Sequence, residues 1–208
     1  MKKALMLFAE GFETVEALMV VDLLRRGGVE VSMASIDENE MVTSAQGIGV
    51  QMDMVMGEAD LLTYDAVILP GGMPGTNYLK ESVAVKKVLL AMQEAGKILA
   101  AICAAPGVFG KYGLLEGKKA CSYPDHEVYL TGAKVSKDPV CVDGNIVTSR
   151  GLGTAAEFGF CLLELLQGKE KAEEMYPGLF KPIMLTKSRY NQHSGKYASI
   201  IEVGATGN

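Results

Sequence analysis

Apolar and polar positions alternate along the first 170 residues in a pattern that predicts strands and helices in turn. Strand-length apolar segments recur, and each main one precedes a segment with apolar residues at helical spacing or a turn-rich stretch. The predicted main strands are 3–9, 29–35, 65–69, 97–102 and 145–149. The predicted helices are 11–26, 82–95, 104–112 and 155–166. This alternation favours an α/β domain with a doubly wound, mostly parallel sheet and helices on both faces.

The remaining segments carry weaker patterns. Residues 47–56 alternate apolar with small or polar side chains, which predicts a short hairpin or an edge strand, and 119–122 and 140–142 are short strand candidates. The periodicity fades from residue 176, although 197–203 resembles a strand. We therefore expect one domain over 1–175 and a C-terminal extension over 176–208, whose role is left open between a packed extension, an interface arm and a partly disordered tail.

Composition narrows the class of protein. The chain of 208 residues is 49% hydrophobic and 22% charged, which is typical of a soluble globular protein, and it has no apolar run of membrane-spanning length. We expect a cytoplasmic location. The net charge of −5 argues against nucleic acid as the main partner and favours small molecules. Four cysteines without a C-x-x-C spacing and two histidines predict neither a disulfide framework nor a metal site.

One cysteine stands at a position typical of nucleophiles. Cys103 follows the apolar run 97–102 and precedes a helix start with Pro106 in its first turn. A cysteine in an apolar stretch is usually a small core residue, but a strand-to-helix turn is where elbow-type α/β enzymes place a nucleophile. Amides at the helix start would lower the thiol pKa. The amides of Ala104 and of Gly71 or Gly72 are candidates for an oxyanion hole.

A nucleophile also needs a proton partner, and the first predicted helix offers Glu10, Glu13 and Glu16. Glu10 and Glu13 are best explained by the helix dipole, which favours acids at a helix start. Glu16 is predicted to lie deeper in the helix, where a buried carboxylate without a partner would be costly. Glu16 and Cys103 would then share one proton and titrate as a unit, which suits a nucleophile with a general acid/base.

Other candidate residues have simpler explanations. Core packing accounts for Cys121, Cys141 and Cys161. His126, in a loop, is a candidate third catalytic residue or a solvated surface group. Arg150, which follows the last predicted strand, is a further candidate at the same sheet edge.

Four motifs together resemble the ThiJ/PfpI superfamily, and most closely its Parkinson-disease-associated deglycase branch. They are Glu13-Thr-Val-Glu16, Pro70-Gly71-Gly72, the segment 100–106 around Cys103, and the segment 148–154. The resemblance spans most of residues 3–168. It implies a flavodoxin-like fold, usually a homodimer, in which Cys103 is hydrogen-bonded to a protonated Glu16 and the amides of Gly72 and Ala104 line an anion pocket.

Two departures from the family pattern limit the reactions to be expected. The protease-like branch has a histidine directly after the cysteine, where this chain has Ala104. Members similar to the human protein place another histidine near the cysteine, and the best alignment puts Gly132 there, several residues after His126. A Cys-His-Glu triad is therefore not supported, and an elbow-type amidase or hydrolase is the weakest hypothesis.

Two hypotheses remain open and share one site. The first is a cofactor-independent glyoxalase III-like or deglycase-like enzyme, which converts methylglyoxal, glyoxal or their early adducts to hydroxy acids through Cys103 and Glu16. The second is an oxidation-sensing or chaperone-like stress protein in which Cys103 becomes a sulfinic acid without turnover. The sequence does not rank them, and it does not identify the substrate.

Overall fold

The computed structural model describes residues 1–179, with side chains through residue 175. Its contacts divide the chain into a compact unit, Met1–Glu173, and a second unit, Glu174–Asn208. The segment 197–203, predicted as a strand, lies outside the described residues, as does most of the predicted extension 176–208. That division of the chain stays a prediction.

Eleven strands occur in the described part of the chain. In order they are β1 Lys3–Phe8, β2 Glu30–Ser35, β3 Met41–Thr43, β4 Gly49–Gln51, β5 Met54–Val55, β6 Ala66–Leu69, β7 Ile98–Ile102, β8 Lys119–Ala120, β9 Lys134–Val135, β10 Val140–Asp143 and β11 Ile146–Ser149.

The central sheet has seven strands in the order β10-β11-β7-β6-β1-β2-β5. All neighbours are parallel except β10 and β11, which form an antiparallel pair at one edge. The five long parallel strands β2, β1, β6, β7 and β11 follow the flavodoxin-like order 2-1-3-4-5. The fold is therefore the flavodoxin-like α/β fold that the sequence predicts.

The described residues form six α-helices. They are α1 Thr14–Arg26, α2 Gly75–Glu81, α3 Val83–Glu94, α4 Pro106–Lys111, α5 Ala155–Gln167 and α6 Lys169–Leu179. Helices α1 and α5 pack against each other, while α3 packs on β6 and β7 and α4 packs on β7.

Apolar side chains from alternate strand positions fill the space beneath α3 and α4. Leu5, Leu69 and Leu99 on the sheet meet Leu89 of α3 and Phe109 of α4, all fully buried. Continuous burial along β1, β6 and β7 explains why their sequences are unbroken apolar runs, since parallel strands are covered on both faces.

The structure refines several sequence-based predictions. The segment 47–56 forms both alternatives, because β4 pairs with β3 in a hairpin and β5 joins the sheet edge beside β2. Helix α2 was not predicted, since its seven residues begin at a glycine and contain no clear apolar period. Ser82 caps α3 as expected, with its hydroxyl oxygen accepting from the Val85 amide at 3.2 Å. Over residues 1–179, no helix is both long and apolar enough to cross a membrane.

Candidate active site

The candidate site lies where four parallel strands end at the same edge of the sheet. Strands β1, β6, β7 and β11 run in the same direction, so the loops that follow them lie side by side. These loops carry the start of α1, the Gly71-Gly72 turn, Cys103 and the turn at Leu152. The order of strands in the sheet therefore brings these four segments together in space, although Glu16 and Leu152 are 136 positions apart in the sequence.

Cys103 sits on a strained turn between β7 and α4. Its φ of 66° lies in the left-handed region, which costs a non-glycine residue about 1 kcal/mol. Backbone hydrogen bonds on both sides hold it there: the Cys103 amide donates to the Ser149 carbonyl at 3.0 Å, and the Cys103 carbonyl accepts from the Tyr123 amide at 2.8 Å. The nucleophile-elbow geometry predicted for Cys103 is present.

The two glycines after β6 let the backbone approach the thiol. A Cβ on Gly71 would lie 2.9 Å from Cys103 Sγ and 2.5 Å from Glu16 Oε2, so only glycine fits between the two side chains. Gly72 has a φ of 96°, and a Cβ there would overlap the backbone of Phe12 and Glu13. The amides of Gly72 and Ala104 both hydrogen-bond to the Cys103 sulfur.

Glu16 is buried, with 2% of its surface exposed, and its carboxyl group is satisfied from three directions. Its Oε2 accepts from the Gly71 amide at 3.2 Å, the Leu152 amide donates to the same carboxyl group, and the Cys103 thiol shares a hydrogen bond with it. Such a set of partners is what a buried carboxyl group requires.

The sequence-based placement of the acids needs correction. Glu16 is not deep in the helix; it is the third residue of α1, and Glu13 is the N-cap whose Oε2 accepts from the Glu16 amide at 2.6 Å. Glu10 lies before the helix and accepts from the Thr43 amide at 3.1 Å, which ties the β3–β4 hairpin to the end of β1. Glu16 is therefore buried because the N-terminus of α1 points into the site.

The pKa of Glu16 is raised from 4.5 to about 7. Burial is the main cause and the charge of Glu13 acts in the same direction, while the hydrogen bonds from Cys103, Gly71 and Leu152 oppose the rise. Burial also raises the pKa of the Cys103 thiol to about 12, with the Glu16 charge and hydrogen bond as the next causes. The prediction that helix-start amides would hold the thiol pKa low is wrong as a net effect, because burial beside Glu16 outweighs the Gly72 and Ala104 amides.

Together these shifts describe a pair that keeps one proton over a wide pH range. Removing both protons would leave two buried negative charges side by side, which is what the high pKa of Cys103 opposes. With one proton, the pair can exist as thiol plus carboxylate or as thiolate plus carboxylic acid. The two amides stabilise the second form, so the thiol proton has a nearby acceptor.

The other candidate residues lie around this pair and do not bond to it. The His126 ring packs against the Tyr123 and Tyr129 rings, with centroids 6.0 and 5.8 Å away, and no described hydrogen bond joins it to Cys103. The Arg150 guanidinium donates to the Lys137 carbonyl at 3.3 Å. Both are placed beside the site, and a direct role for either stays a prediction.

Two residues that the sequence did not single out contact the pair. The segment expected to approach the cysteine contributes Tyr123, not Gly132; a Cβ on Gly132 would collide with the Glu116 side chain. Leu152 donates its amide to Glu16 from a short 3-10 helix, Leu152–Thr154. Backbone donors carry no side-chain signature, although the small residues around Leu152 mark a turn that could have indicated its role.

The three other cysteines have different surroundings. Cys121 and Cys141 are buried, as predicted, and Cys161 is half-buried. Burial raises the pKa of Cys121 to about 12 and that of Cys161 to about 11. Among residues 1–175, no group of three or more histidine, cysteine or acidic side chains is arranged to hold a metal ion.

A flavodoxin-like sheet that presents a cysteine on a strand-to-helix elbow, bonded to a buried glutamate, defines the class of this protein. The DJ-1/PfpI family model matches residues 2–165, so the chain belongs to that family, as its motifs predicted. A model for Stage II sporulation protein P (SpoIIP) matches residues 165–208, a minor part of the chain that lies mostly outside the described residues.

Curated relatives and solved structures agree with this assignment. The chain is 38% identical over 180 residues to protein dj-1beta of Drosophila melanogaster, covering 86% of this chain and 96% of the relative. It is 33% identical over 188 residues to the glutathione-independent glyoxalase DJR-1.2 of Caenorhabditis elegans, covering 89% and 98%. The structure of oxidised Toxoplasma gondii DJ-1 superimposes with a TM-score of 0.83 at 37% identity, covering 86% of this chain and 98% of that one.

Some relatives are longer. Protein DJ-1 homolog B of Arabidopsis thaliana is 42% identical over 176 residues, which cover 84% of this chain and 40% of that protein. The chain therefore spans less than half the length of that relative.

Proposed function

We propose that the protein is a cofactor-independent glyoxalase that converts methylglyoxal to lactate, with Cys103 as nucleophile and Glu16 as general acid/base. The observation that carries this proposal is the hydrogen bond between the Cys103 thiol and a buried Glu16 carboxyl group with a pKa near neutrality. A general base is most effective when its pKa lies near the working pH. The glyoxalase name of the Caenorhabditis elegans relative supports the same reaction.

The first step forms a hemithioacetal. Glu16 accepts the thiol proton as Cys103 Sγ attacks the aldehyde carbon of methylglyoxal, and the carbonyl electron pair moves to oxygen. The resulting oxyanion takes the proton back from Glu16. The amides of Gly72 and Ala104 point at the sulfur, so they stabilise the thiolate before attack and lie close to the oxygen that develops charge.

The second step moves a proton between adjacent carbons. Glu16 removes the proton from C1, which gives an enediolate, and delivers it to C2. The hydroxyl proton on O1 passes to O2 in the same rearrangement, so that a lactoyl thioester is left on Cys103. Water then hydrolyses the thioester, and lactate and the free thiol are released. Methylglyoxal plus water equals lactic acid, so the cycle consumes no oxidant or reductant and Glu16 ends in its starting state.

A lactate assay with two variants tests this mechanism. Cys103→Ala removes the nucleophile, and Glu16→Gln keeps a polar group of similar size but cannot accept a proton. Both should lose at least about 1,000-fold in kcat/KM for methylglyoxal, since each removes an obligatory group. Glu94→Gln is the matched control, because Glu94 is an exposed glutamate at the end of α3, away from the pair. Lactate formation that survives both active-site changes would rule the mechanism out.

A second candidate function has its own supporting observation. The Cys103 sulfur is surrounded by two amides and one carboxyl group, donors suited to the oxygens of a cysteine sulfinic acid, and the oxidised Toxoplasma gondii relative has the same fold. In this case two equivalents of hydrogen peroxide oxidise the thiol to the sulfinic acid and form two waters. The protein would then report oxidation without turnover.

Mass spectrometry after limited peroxide separates this candidate from general oxidation. Cys103 should gain two oxygens before Cys121, Cys141 or Cys161 gains any. Glu16→Gln should lower the yield of sulfinic acid at Cys103, because one hydrogen-bond donor in its protonated form is replaced by a weaker one. Uniform oxidation of all four cysteines would contradict a sensing role.

The remaining expectations belong to the same proposal. Early glyoxal adducts are alternative substrates for the same addition to Cys103. A homodimer and a cytoplasmic location are inferred from the resemblance and the composition. Sedimentation of the purified chain tests the dimer directly.

A further inference from the structure

A cavity opens next to the turn that carries Cys103. Its volume is about 100 Å³, and it is partly open to solvent. Ala104, the residue directly after the candidate nucleophile, forms part of its wall, and Met73 from the loop after Gly72 forms another part. A substrate bonded to Cys103 could therefore extend into this space.

The chemistry of the cavity wall differs from that of the Cys103–Glu16 pair. The wall includes Lys80, His126, Thr76, Asn77 and Tyr129, and no acidic residue. The side chains of Lys80, His126, Thr76 and Asn77 can all donate hydrogen bonds. A space lined by donors and a cation, without a carboxylate, selects for a negatively charged group.

Lys80 is free to serve such a group. Its ammonium lies 4.6 Å from the centre of the Tyr129 ring, and no carboxylate of the described residues comes within 4 Å of it. The neighbouring Glu81 is paired with Lys111 at 2.9 Å. The charge of Lys80 is the smallest of the causes that lower the Glu81 pKa, so Lys80 is not the main partner of that carboxylate. The tyrosine ring therefore positions the Lys80 charge at the cavity without neutralising it.

Thr76 supplies the second, independent observation. Only 5% of its surface is exposed, and its hydroxyl has no hydrogen-bond partner among the described residues. Buried hydroxyl groups are nearly always bonded, so an orphaned one in the wall of a cavity indicates a partner that arrives with a ligand. Its amide is already used, since it donates to the Gly72 carbonyl at 2.9 Å.

We propose that this cavity binds an oxyanion, a carboxylate or a phosphate, carried by the substrate at the end remote from its aldehyde. Lys80 supplies the charge and Thr76 donates a hydrogen bond. The inference rests on the proposed function for the reaction at Cys103, and it adds a substrate class: aldehydes and 2-oxoaldehydes that carry an acidic group at the end remote from the reacting carbon.

Matched substrates test the class. We expect 4-carboxyphenylglyoxal to have a kcat/KM about 10-fold above that of phenylglyoxal, the size of one charge-assisted hydrogen bond. Lys80→Met should abolish this preference, and Thr76→Val should reduce it about threefold. Lys86→Met is the matched control, since Lys86 also lies over a tyrosine ring, 5.6 Å from the centre of Tyr112, but outside the cavity wall.

A binding experiment separates this inference from the proposed reaction. Inorganic phosphate, benzoate and neutral benzamide are titrated into ¹⁵N-labelled protein, and the amide signals of Ala104 and Gly107 are followed. Shifts with both anions support a general oxyanion site, and shifts with one anion alone identify its class. The inference is overturned if neither anion shifts these signals, if benzamide acts equally, or if Lys80→Met binds the anions as well as the wild type. Absence of lactate formation, with anion binding intact, would instead contradict only the proposed function.

Discussion

Cys103 and Cys121 show that the reactivity of a buried thiol depends on the groups bonded to it more than on burial itself. Both follow strands, both lie in the interior, and burial is the first cause that raises the pKa of each to about 12. Cys121 donates its thiol to the Thr148 carbonyl at 3.3 Å, and its amide donates to the Thr148 hydroxyl at 3.0 Å. The Cys141 thiol is a further hydrogen-bond partner. Neither Thr148 nor Cys141 offers a carboxylate that could take the Cys121 proton.

Cys103 instead faces an ionisable acceptor. Glu16, with a pKa of about 7, can hold the thiol proton, and two amides stabilise the sulfur that loses it. The left-handed backbone of Cys103 aims the side chain at these groups. The same raised thiol pKa therefore has two meanings. At Cys121 it marks an inert core residue, and at Cys103 it marks one member of a pair that shares a proton.

The largest contrast should appear in alkylation by iodoacetamide. We expect Cys103 to react on the order of 1,000-fold faster than Cys121 at pH 8, because only Cys103 has a base beside it. The Cys103 rate should rise as pH passes about 7, where Glu16 loses its proton, and then level off. Mass spectrometry of tryptic peptides gives both rates; in Glu16→Gln the step near pH 7 should be absent while the Cys121 rate is unchanged.

The second contrast concerns stability against pH. The folded pKa of Glu16, about 7, exceeds its reference value of 4.5, so the native state holds this proton more tightly than the unfolded chain. Wild-type stability should therefore fall as pH rises from about 4.5 to about 7. The contribution of this one group is roughly 3 kcal/mol.

Urea unfolding of the wild type and of Glu16→Gln at pH 4.5, 6 and 8 measures this difference. The advantage of the glutamine variant should grow across the series and stay constant above pH 7. Cys121→Ala should unfold with the wild-type pH dependence in this window. A difference between wild type and Glu16→Gln that does not change with pH would contradict the raised pKa of Glu16.

A steric change sharpens the comparison next. Gly71→Ala places a methyl group between Cys103 Sγ and Glu16 Oε2, so the pair must separate. Lactate formation should fall about 30-fold, with a smaller change in thermal stability. Gly57→Ala, where a Cβ would meet nothing within 4 Å, is the control and should retain full activity. Equal activity of the two variants would show that contact between thiol and carboxyl group is not required.

The smallest effect is expected on the Cys121 side. Thr148→Val keeps the side-chain shape but leaves the buried Cys121 amide without its acceptor. The free energy of unfolding should drop by about 1–2 kcal/mol. Lactate formation should remain within about twofold of wild type. A large loss of activity would mean that the Cys121 segment, through Tyr123, helps to hold Cys103 in its turn.

The main elements could be predicted because their sequences carry the relevant periods. The segments of β1, β6 and β7 are apolar throughout, and α3 begins at a serine cap and ends before Gly96. Both kinds of element can therefore be predicted from local sequence. Helix α2 was missed because a helix of seven residues beginning at Gly75 has neither a period nor a side-chain cap.

The residues of the candidate site also divide into those that the local sequence indicates and those that it does not. Cys103 was identifiable from its strand-to-helix context, and Glu16 from its nearness to the end of β1. The depth assigned to Glu16 was wrong because the capping role of Glu13 sets where α1 begins. Tyr123 and Leu152 were missed because they act through backbone amides, whose positions depend on how distant loops meet and not on residue type.

The turn at Cys103 also bears on what the chain gives up to keep this residue. A φ of 66° is unstrained for glycine and strained for any residue with a side chain, so Cys103→Gly should be more stable to unfolding than Cys103→Ala. Backbone strain alone would then favour glycine at position 103. A cysteine nevertheless stands where the backbone disfavours any side chain. Such a residue is expected where chemistry, and not thermal stability, determines which side chain is kept.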